Sequence, residues 1–129
     1  MVKKNACVFI SGEGSNLKNL LKRSRDYNFP ISIKLVVSNN PKAKGLIYAQ
    51  KSKIKKYIVK VKNKKILEKY LLKKLLSNNI NLICLAGFMK ILSGNFIKNF
   101  AKKHSIPCII VNTRFRFFES VILNSLNKY

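Results

Sequence analysis

The segment CVFISGEGSNL, residues 7–17, constrains the fold of this chain more than any other stretch. Its apolar first half predicts a buried strand, and the leucines that recur from position 17 onward predict a helix that begins at once. The glycine turn between them leaves the first N–H groups of the helix unpaired, and such groups attract anions, most often phosphate. An ordinary strand-to-helix turn is the alternative interpretation, because a lone Gly-x-Gly pattern is a weak signal.

The residues of this turn are the first candidates for ligand binding. Gly12 and Gly14 let the backbone approach a ligand without a Cβ in the way. Ser15 and Asn16 add side chains that can donate hydrogen bonds, and either of them can cap the helix. We therefore predict a phosphate site at Gly14, Ser15 and Asn16.

Length, composition and cysteine content indicate one globular domain. The chain has 129 residues, of which 47% are hydrophobic, and this is enough for a packed core. No apolar run is long enough to span a bilayer, and the N-terminus does not have the pattern of a signal peptide. Cys7, Cys84 and Cys108 have no metal-ligand spacing, so we expect no metal and read them as free thiols in the reducing cytoplasm.

The formal net charge of +23, from 27 basic and 4 acidic residues, is typical of proteins that bind polyanions. Nearly all of the basic residues are lysines, spread along the whole chain, whereas the arginines that read bases and phosphates bidentately are few. Abundant Lys, Asn and Ile are also what A/T-rich codons encode. We therefore interpret the charge as mostly a solvated surface and do not expect nucleic acid or a membrane as the partner.

Apolar runs alternate with segments of helical spacing along the chain. The predicted strands are 6–11, 31–38, 57–61, 80–86 and 106–111, and the predicted helices are 15–27, 43–51, 64–77 and 93–103, with weak helical character at 118–126. This alternation predicts an α/β fold with a doubly wound, Rossmann-like parallel sheet over residues 1–111, followed by an atypical tail over 112–129. Two glycine-bearing loops, 12–16 and 87–92, then lie at the carboxyl edge of the sheet, where such folds bind ligands.

Three motifs resemble one known family. ISGEGSNL at 10–17, VSN at 37–39 and LAGFMKILS at 85–93, with the spacing between them, resemble the glycinamide ribonucleotide transformylases (phosphoribosylglycinamide formyltransferases) over about residues 6–100. The resemblance implies transfer of a formyl group from the co-substrate 10-formyltetrahydrofolate to the amine of glycinamide ribonucleotide, in de novo purine biosynthesis. It places the ribonucleotide phosphate on Gly14, Ser15 and Asn16.

The same resemblance assigns the folate. The second loop of the family holds the pterin ring with backbone groups, and that role falls on Met89, Lys90, Ile91 and Leu92. A basic residue before the third helix approaches the folate, and Lys64 stands at the matching position. Without the resemblance, the apolar residues of this loop are better explained by packing.

The sequence departs from the family at the catalytic segment. The family supplies an Asn and a His from an Asn-x-His-Pro-Ser-Leu stretch, and an Asp further along the chain. Here the lone His104 precedes a serine, and no Asp follows Asp26. We therefore assign no catalytic residue, expect little or no formyl transfer, and interpret the chain from about Lys102 as truncated or read in a shifted frame, with a short paralogue as the alternative.

Two other functions stay open on the residues alone. One is a non-catalytic remnant that binds ligand weakly or not at all. The other is a basic nucleic-acid-binding module, for which the aromatic and basic cluster RFRFF at 114–118 is the candidate surface. Salt-dependent RNA binding, measured against folate binding, distinguishes this module from a formyltransferase.

Overall fold

The computed structural model describes residues 3–60, 62–86, 93–102 and 109–112. Within them, strands and helices alternate as predicted. The strands are β1 (Lys4–Ile10), β2 (Ile31–Ser38), β3 (Lys55–Ile58), β4 (Leu82–Leu85) and β5 (Ile109–Asn112). The helices are α1 (Ser15–Ser24), α2 (Leu46–Lys51), α3 (Lys64–Ser77) and α4 (Gly94–Lys102).

The five strands form one sheet in the order β3-β2-β1-β4-β5, and every neighbouring pair is parallel. The chain moves outward from β1 to β3, and α3 then carries it back to β4 on the other side of β1. The order of the strands therefore reverses between β1 and β4, and ligands of doubly wound sheets bind outside the carboxyl ends of the strands at this point. The predicted fold class is confirmed.

Both faces of the sheet are covered, which explains why residues 6–10 of β1 are an uninterrupted apolar run. Ala6, Val8 and Ile10 pack in one core with α1 and α2. Cys7 and Phe9 point to the opposite face, where α3 and α4 complete a second core. The two halves of any site at the switch point are thus held on opposite faces of the sheet.

Helix α3 occupies the predicted residues, because its buried leucines recur at helical spacing and Asn63 caps its start by accepting a hydrogen bond from the Ile66 N–H. Helix α1 ends earlier than the predicted residue 27. The Ser24 hydroxyl donates to the Leu21 carbonyl (2.9 Å), and Lys3 Nζ donates to the Ser24 carbonyl (2.7 Å). These side chains satisfy carbonyls that would otherwise continue the helix.

Strand bounds follow the pairing partners more than the apolar runs. Strand β3 starts two residues and ends three residues earlier than predicted, because Lys55–Ile58 pair with the last four residues of β2. Strand β5 includes Asn112, one residue past the predicted domain boundary. Residues 113–129 lie outside the described residues, so the predicted tail and its weak helix stay predictions. Among the described residues, no helix is long and apolar enough to cross a bilayer.

Candidate functional site

The glycine turn lies at the carboxyl end of β1 and leads directly into α1. Gly14 is the N-cap of the helix in a left-handed conformation (φ 77°, ψ 24°), and no side chain caps the helix. Ser15 and Asn16 are the first two helical residues, so the expectation that one of them caps the helix is wrong. The Gly14 carbonyl accepts the first helical bond from the Lys18 N–H (2.9 Å). A helix start without a side-chain cap keeps its first N–H groups available to an anion.

A second segment supports this turn from the side. Gly45, which precedes α2, donates its N–H to the Gly12 carbonyl at 2.9 Å. Tyr48, one turn further along α2, packs against the same core as α1, and Lys18 Nζ lies 5.7 Å from the centre of its ring. The turn is therefore held through its backbone by a helix distant in sequence, a contact that the sequence pattern did not reveal.

Polar side chains tie the end of β2 to the end of β1. The Ser11 hydroxyl donates to Asn39 Oδ1 (2.7 Å), and the Asn40 side-chain amide reaches the Ser11 carbonyl (3.4 Å). The buried Ser38 hydroxyl accepts from the Asn40 N–H (3.1 Å) and donates to the Asn40 carbonyl (3.0 Å). This network fixes the exit of β1 before the glycine turn begins. Its signal in the sequence is a serine that ends a buried strand and two asparagines directly after it.

The second predicted loop, with Met89, Lys90, Ile91 and Leu92, lies outside the described residues, and its assignment to the folate stays a prediction. The residues that flank it are described. The Ala86 N–H donates to the Phe9 carbonyl (2.9 Å) and fixes the chain after β4 against β1. After this segment, the Ser93 hydroxyl caps α4 by accepting from the Phe96 N–H (3.1 Å).

Glu68 on α3 holds that cap. One carboxylate oxygen accepts from the Ser93 N–H (2.7 Å) and the other from the Ser93 hydroxyl (2.6 Å). Hydrogen bonds to a charged acceptor are among the stronger ones in proteins. Sequence reasoning missed this residue, although Glu68 is one of only 4 acidic residues in the chain and stands among lysines.

Lys64 is the first residue of α3, and its side chain is exposed. It lines a cleft of about 490 Å³ between α3 and α4, together with Lys69, Ser93, Asn95 and Phe96. The structure thus brings Gly14, Ser15 and Asn16 together in one turn. Lys64 lies on α3, which covers the face of the sheet opposite to α1. The starts of α1 and α3 both lie at the carboxyl edge of the sheet.

The two cysteines that the structure describes, Cys7 and Cys84, are buried in the sheet. Burial raises the pKa of the Cys84 thiol to about 12 and that of Cys7 well above its ordinary value, so both stay protonated and unreactive near neutral pH. Both thiols are free. Among the described residues, no three His, Cys, Asp or Glu side chains cluster to hold a metal ion. His104 and Cys108 lie outside these residues.

A doubly wound parallel sheet with an uncapped glycine turn at its switch point defines an α/β protein of Rossmann-like topology. A match to the formyl transferase family covers residues 4–107. The chain belongs to the formyl transferase family, and the predicted resemblance is confirmed.

Individual relatives agree with this assignment. The chain is 35% identical over 101 residues to the trifunctional purine biosynthetic protein adenosine-3 of Drosophila melanogaster, covering 74% of this chain and 8% of that protein. It is 34% identical over 103 residues to the phosphoribosylglycinamide formyltransferase of Haemophilus influenzae, covering 78% of this chain and 49% of that protein. The chain therefore spans about half the length of this second relative.

Solved structures show the same fold. The phosphoribosylglycinamide formyltransferase of Brucella melitensis superposes with a TM-score of 0.76 at 28% identity, over 95% of this chain and 67% of that one. The corresponding protein of Coxiella burnetii gives a TM-score of 0.72 at 29% identity, over 85% of this chain and 50% of that one.

Proposed function

We propose that this chain binds glycinamide ribonucleotide and 10-formyltetrahydrofolate and serves formyl transfer in purine biosynthesis, in the cytoplasm. The observation that carries the proposal is the start of α1, where Gly14 leaves the first N–H groups without a side-chain cap at the switch point of the sheet. Relatives named as phosphoribosylglycinamide formyltransferases support the choice of substrate. The two buried free thiols are in keeping with a reducing compartment.

In this proposal, Gly14, Ser15 and Asn16 hold the phosphate of the ribonucleotide. Backbone N–H groups of the first helical turn donate to the phosphate oxygens, and the exposed Ser15 side chain adds a further donor. The positive end of the helix favours the negative charge. These residues fix the substrate by its phosphate, and the amine at its other end is then free to approach a formyl donor.

The folate is assigned to the neighbouring loop. Met89, Lys90, Ile91 and Leu92 hold the pterin ring by backbone groups, and Lys64 at the mouth of the α3–α4 cleft faces the anionic part of the molecule. The hydrogen bonds at Ala86 and Ser93 fix both flanks of this loop. A ribonucleotide on one side of the β1–β4 switch point and a folate on the other would bring amine and formyl group together.

Formyl transfer itself needs donors for a tetrahedral oxyanion and a group that moves a proton. The described residues contain no histidine, and no residue of the chain is assigned this role. We therefore propose that the chain binds its ligands and turns them over slowly, because losing such groups typically costs about 10²–10⁴-fold each. Turnover within the usual range of roughly 1–10³ s⁻¹ in an assay with both substrates would contradict this.

The phosphate assignment is tested by calorimetry with glycinamide ribonucleotide. Gly14→Val places a branched side chain where φ is positive, and it should abolish measurable binding. Asn19→Ala on the exposed face of the same helix is the matched control and should bind like the unchanged chain. Binding that survives Gly14→Val would remove the phosphate from this turn.

A further inference from the structure

Two glycines distant in sequence touch through their backbones. A Cβ added at Gly45 would lie 2.7 Å from the Gly14 Cα, 2.9 Å from Ile10 Cδ1 and 3.1 Å from the Gly14 nitrogen. In the other direction, a Cβ at Gly14 would lie 2.4 Å from the Gly45 Cα. Contacts this short are not available to real side chains, so neither position accepts one without displacement of its neighbour.

The two glycines are needed for different reasons. Gly14 has a positive φ of 77°, which already favours glycine. Gly45, the N-cap of α2, has φ −61° and ψ −20°, a backbone conformation that every L-residue can adopt. Nothing in the backbone of Gly45 requires glycine, so the requirement comes from the close approach of Gly14.

The contact acts on the part of the turn that faces a ligand. The Gly45 N–H donates to the Gly12 carbonyl (2.9 Å), while the Gly45 Cα lies against Gly14. Gly12 and Gly14 are therefore both fixed from the same point of α2. Since Gly14 is the N-cap of α1, its position determines where the N–H groups of Ser15 and Asn16 point.

We propose that Gly45 is a positioning residue for the phosphate group of a ribonucleotide bound at the start of α1. This inference rests on the function proposed above and adds a residue outside the turn to the site. A side chain at position 45 would push Gly14 and rotate the first helical N–H groups away from the phosphate oxygens. Hydrogen bonds weaken steeply with such misalignment.

The test compares two ligands that differ only in the phosphate: glycinamide ribonucleotide and the corresponding riboside. The dissociation constant of the riboside divided by that of the ribonucleotide isolates the contribution of the phosphate in each variant. In Gly45→Ala we expect this ratio to fall by about 10-fold, the equivalent of one hydrogen bond to a charged group. Gln50→Ala on the exposed face of α2 is the control and should keep the ratio.

A purely structural role predicts a different result. If Gly45→Ala only loosens the fold, the affinities for both ligands should fall by the same factor, and the ratio should stay unchanged. Gly45→Ala combined with Ile10→Val removes the 2.9 Å contact with Ile10 Cδ1 but keeps the 2.7 Å contact with the Gly14 Cα, so it should recover at most part of the lost melting temperature and none of the ratio. Where the single variant unfolds too early, the double variant is measured in its place.

The outcomes separate the two proposals. A high ratio in the unchanged chain that survives in Gly45→Ala would overturn the positioning role and leave the phosphate site intact. A ratio near one in the unchanged chain would overturn the phosphate site itself. A high ratio that is lost in Gly45→Ala and kept in Gln50→Ala supports both.

Discussion

The start of α1 and the start of α4 are fixed in opposite ways. The turn after β1 is fixed by backbone against backbone, through Gly14 and Gly45 and the hydrogen bond to the Gly12 carbonyl. The segment after β4 is fixed at its far end by a side chain, because Glu68 accepts two hydrogen bonds from Ser93. Backbone contact leaves no tolerance for added atoms, whereas a side-chain contact can be weakened in steps.

The largest effect should come from adding one methyl group to the turn. Gly14→Ala forces a non-glycine residue to φ 77° and places its Cβ 2.4 Å from the Gly45 Cα. Together, the left-handed conformation and the overpacking should lower the free energy of unfolding by about 2–4 kcal/mol. Urea denaturation measures this loss.

Gly12→Ala is the matched control for that measurement. No atom lies within 4 Å of a Cβ at Gly12, and Gly14 is the glycine with positive φ in the described part of the chain. The change should leave stability unaltered or raise it by up to about 1 kcal/mol, because it restricts the unfolded chain. Equal losses at both positions would show that the Gly14–Gly45 contact is not what holds the turn.

The second effect concerns the loop after β4. Glu68→Ala removes both hydrogen bonds at Ser93 and should cost about 1–3 kcal/mol, since they involve a charged acceptor. Glu68→Gln can still accept one of them and should give an intermediate loss. Hydrogen exchange at the Phe96 amide, which the Ser93 hydroxyl caps, should quicken in the same order.

Lys65→Ala provides the control on the same helix, because its side chain is exposed. It should leave both the unfolding free energy and the exchange at Phe96 unchanged. If Glu68→Ala behaves like Lys65→Ala, then Ser93 holds α4 without help from α3, and the contrast between the two helix starts disappears.

A smaller effect concerns the buried thiols of the two central strands, Cys7 on β1 and Cys84 on β4. Burial raises the pKa of Cys84 on β4 from its ordinary 9.0 to about 12, and it raises the pKa of Cys7 on β1 as well, with charge repulsion from Cys84 as the lesser cause. In the unfolded chain these thiols ionise near pH 9, so between about pH 9 and 12 the folded state binds more protons. The stability from thiol burial is complete below pH 9 and is lost as the pH rises toward 12.

For Cys84 this loss should reach about 1 kcal/mol between pH 8 and 10. The measurement compares how steeply the free energy of unfolding changes with pH in the unchanged chain and in Cys84→Ala, so that contributions common to both chains cancel. We expect the free energy of unfolding to fall less steeply with pH in the variant. Identical slopes would mean that the Cys84 thiol ionises in the folded state as it does in the unfolded one.

The sequence predicted the parts of this molecule that depend on local pattern. The bounds of β2 and α3 agree with prediction, because the apolar residues of β2 and the leucines of α3 each continue to within one residue of the end of the element. The glycine turn was recognised for the same reason. What the pattern missed are contacts between residues far apart in the chain: Gly45 against Gly14, and Glu68 with Ser93.

The edge strand β3 shows the same limit. Its apolar residues suggested a start at Tyr57, yet pairing with β2 begins at the exposed Lys55. A lysine at the edge of a sheet is common, because it discourages pairing with other chains. The position of a strand end is decided by its partner, and the partner is not visible in the segment itself.

The smallest effect should come from the ion pair at the glycine turn. Glu13 lies between Gly12 and Gly14, and its carboxylate is 3.6 Å from Lys44 Nζ, with the side chains 79% and 80% exposed. An exposed pair of this kind contributes less than about 0.5 kcal/mol, and salt screens it. Glu13→Gln and Lys44→Ala should therefore unfold nearly like the unchanged chain. Any small difference in the free energy of unfolding should vanish in about 1 M salt, where the screening length is near 3 Å.

Lys44 is the direct neighbour of Gly45, so these variants change side chains at the Gly14–Gly45 contact without adding an atom to it. A loss as large as that of Gly14→Ala in either variant would show that the ion pair, and not the backbone contact, holds the turn.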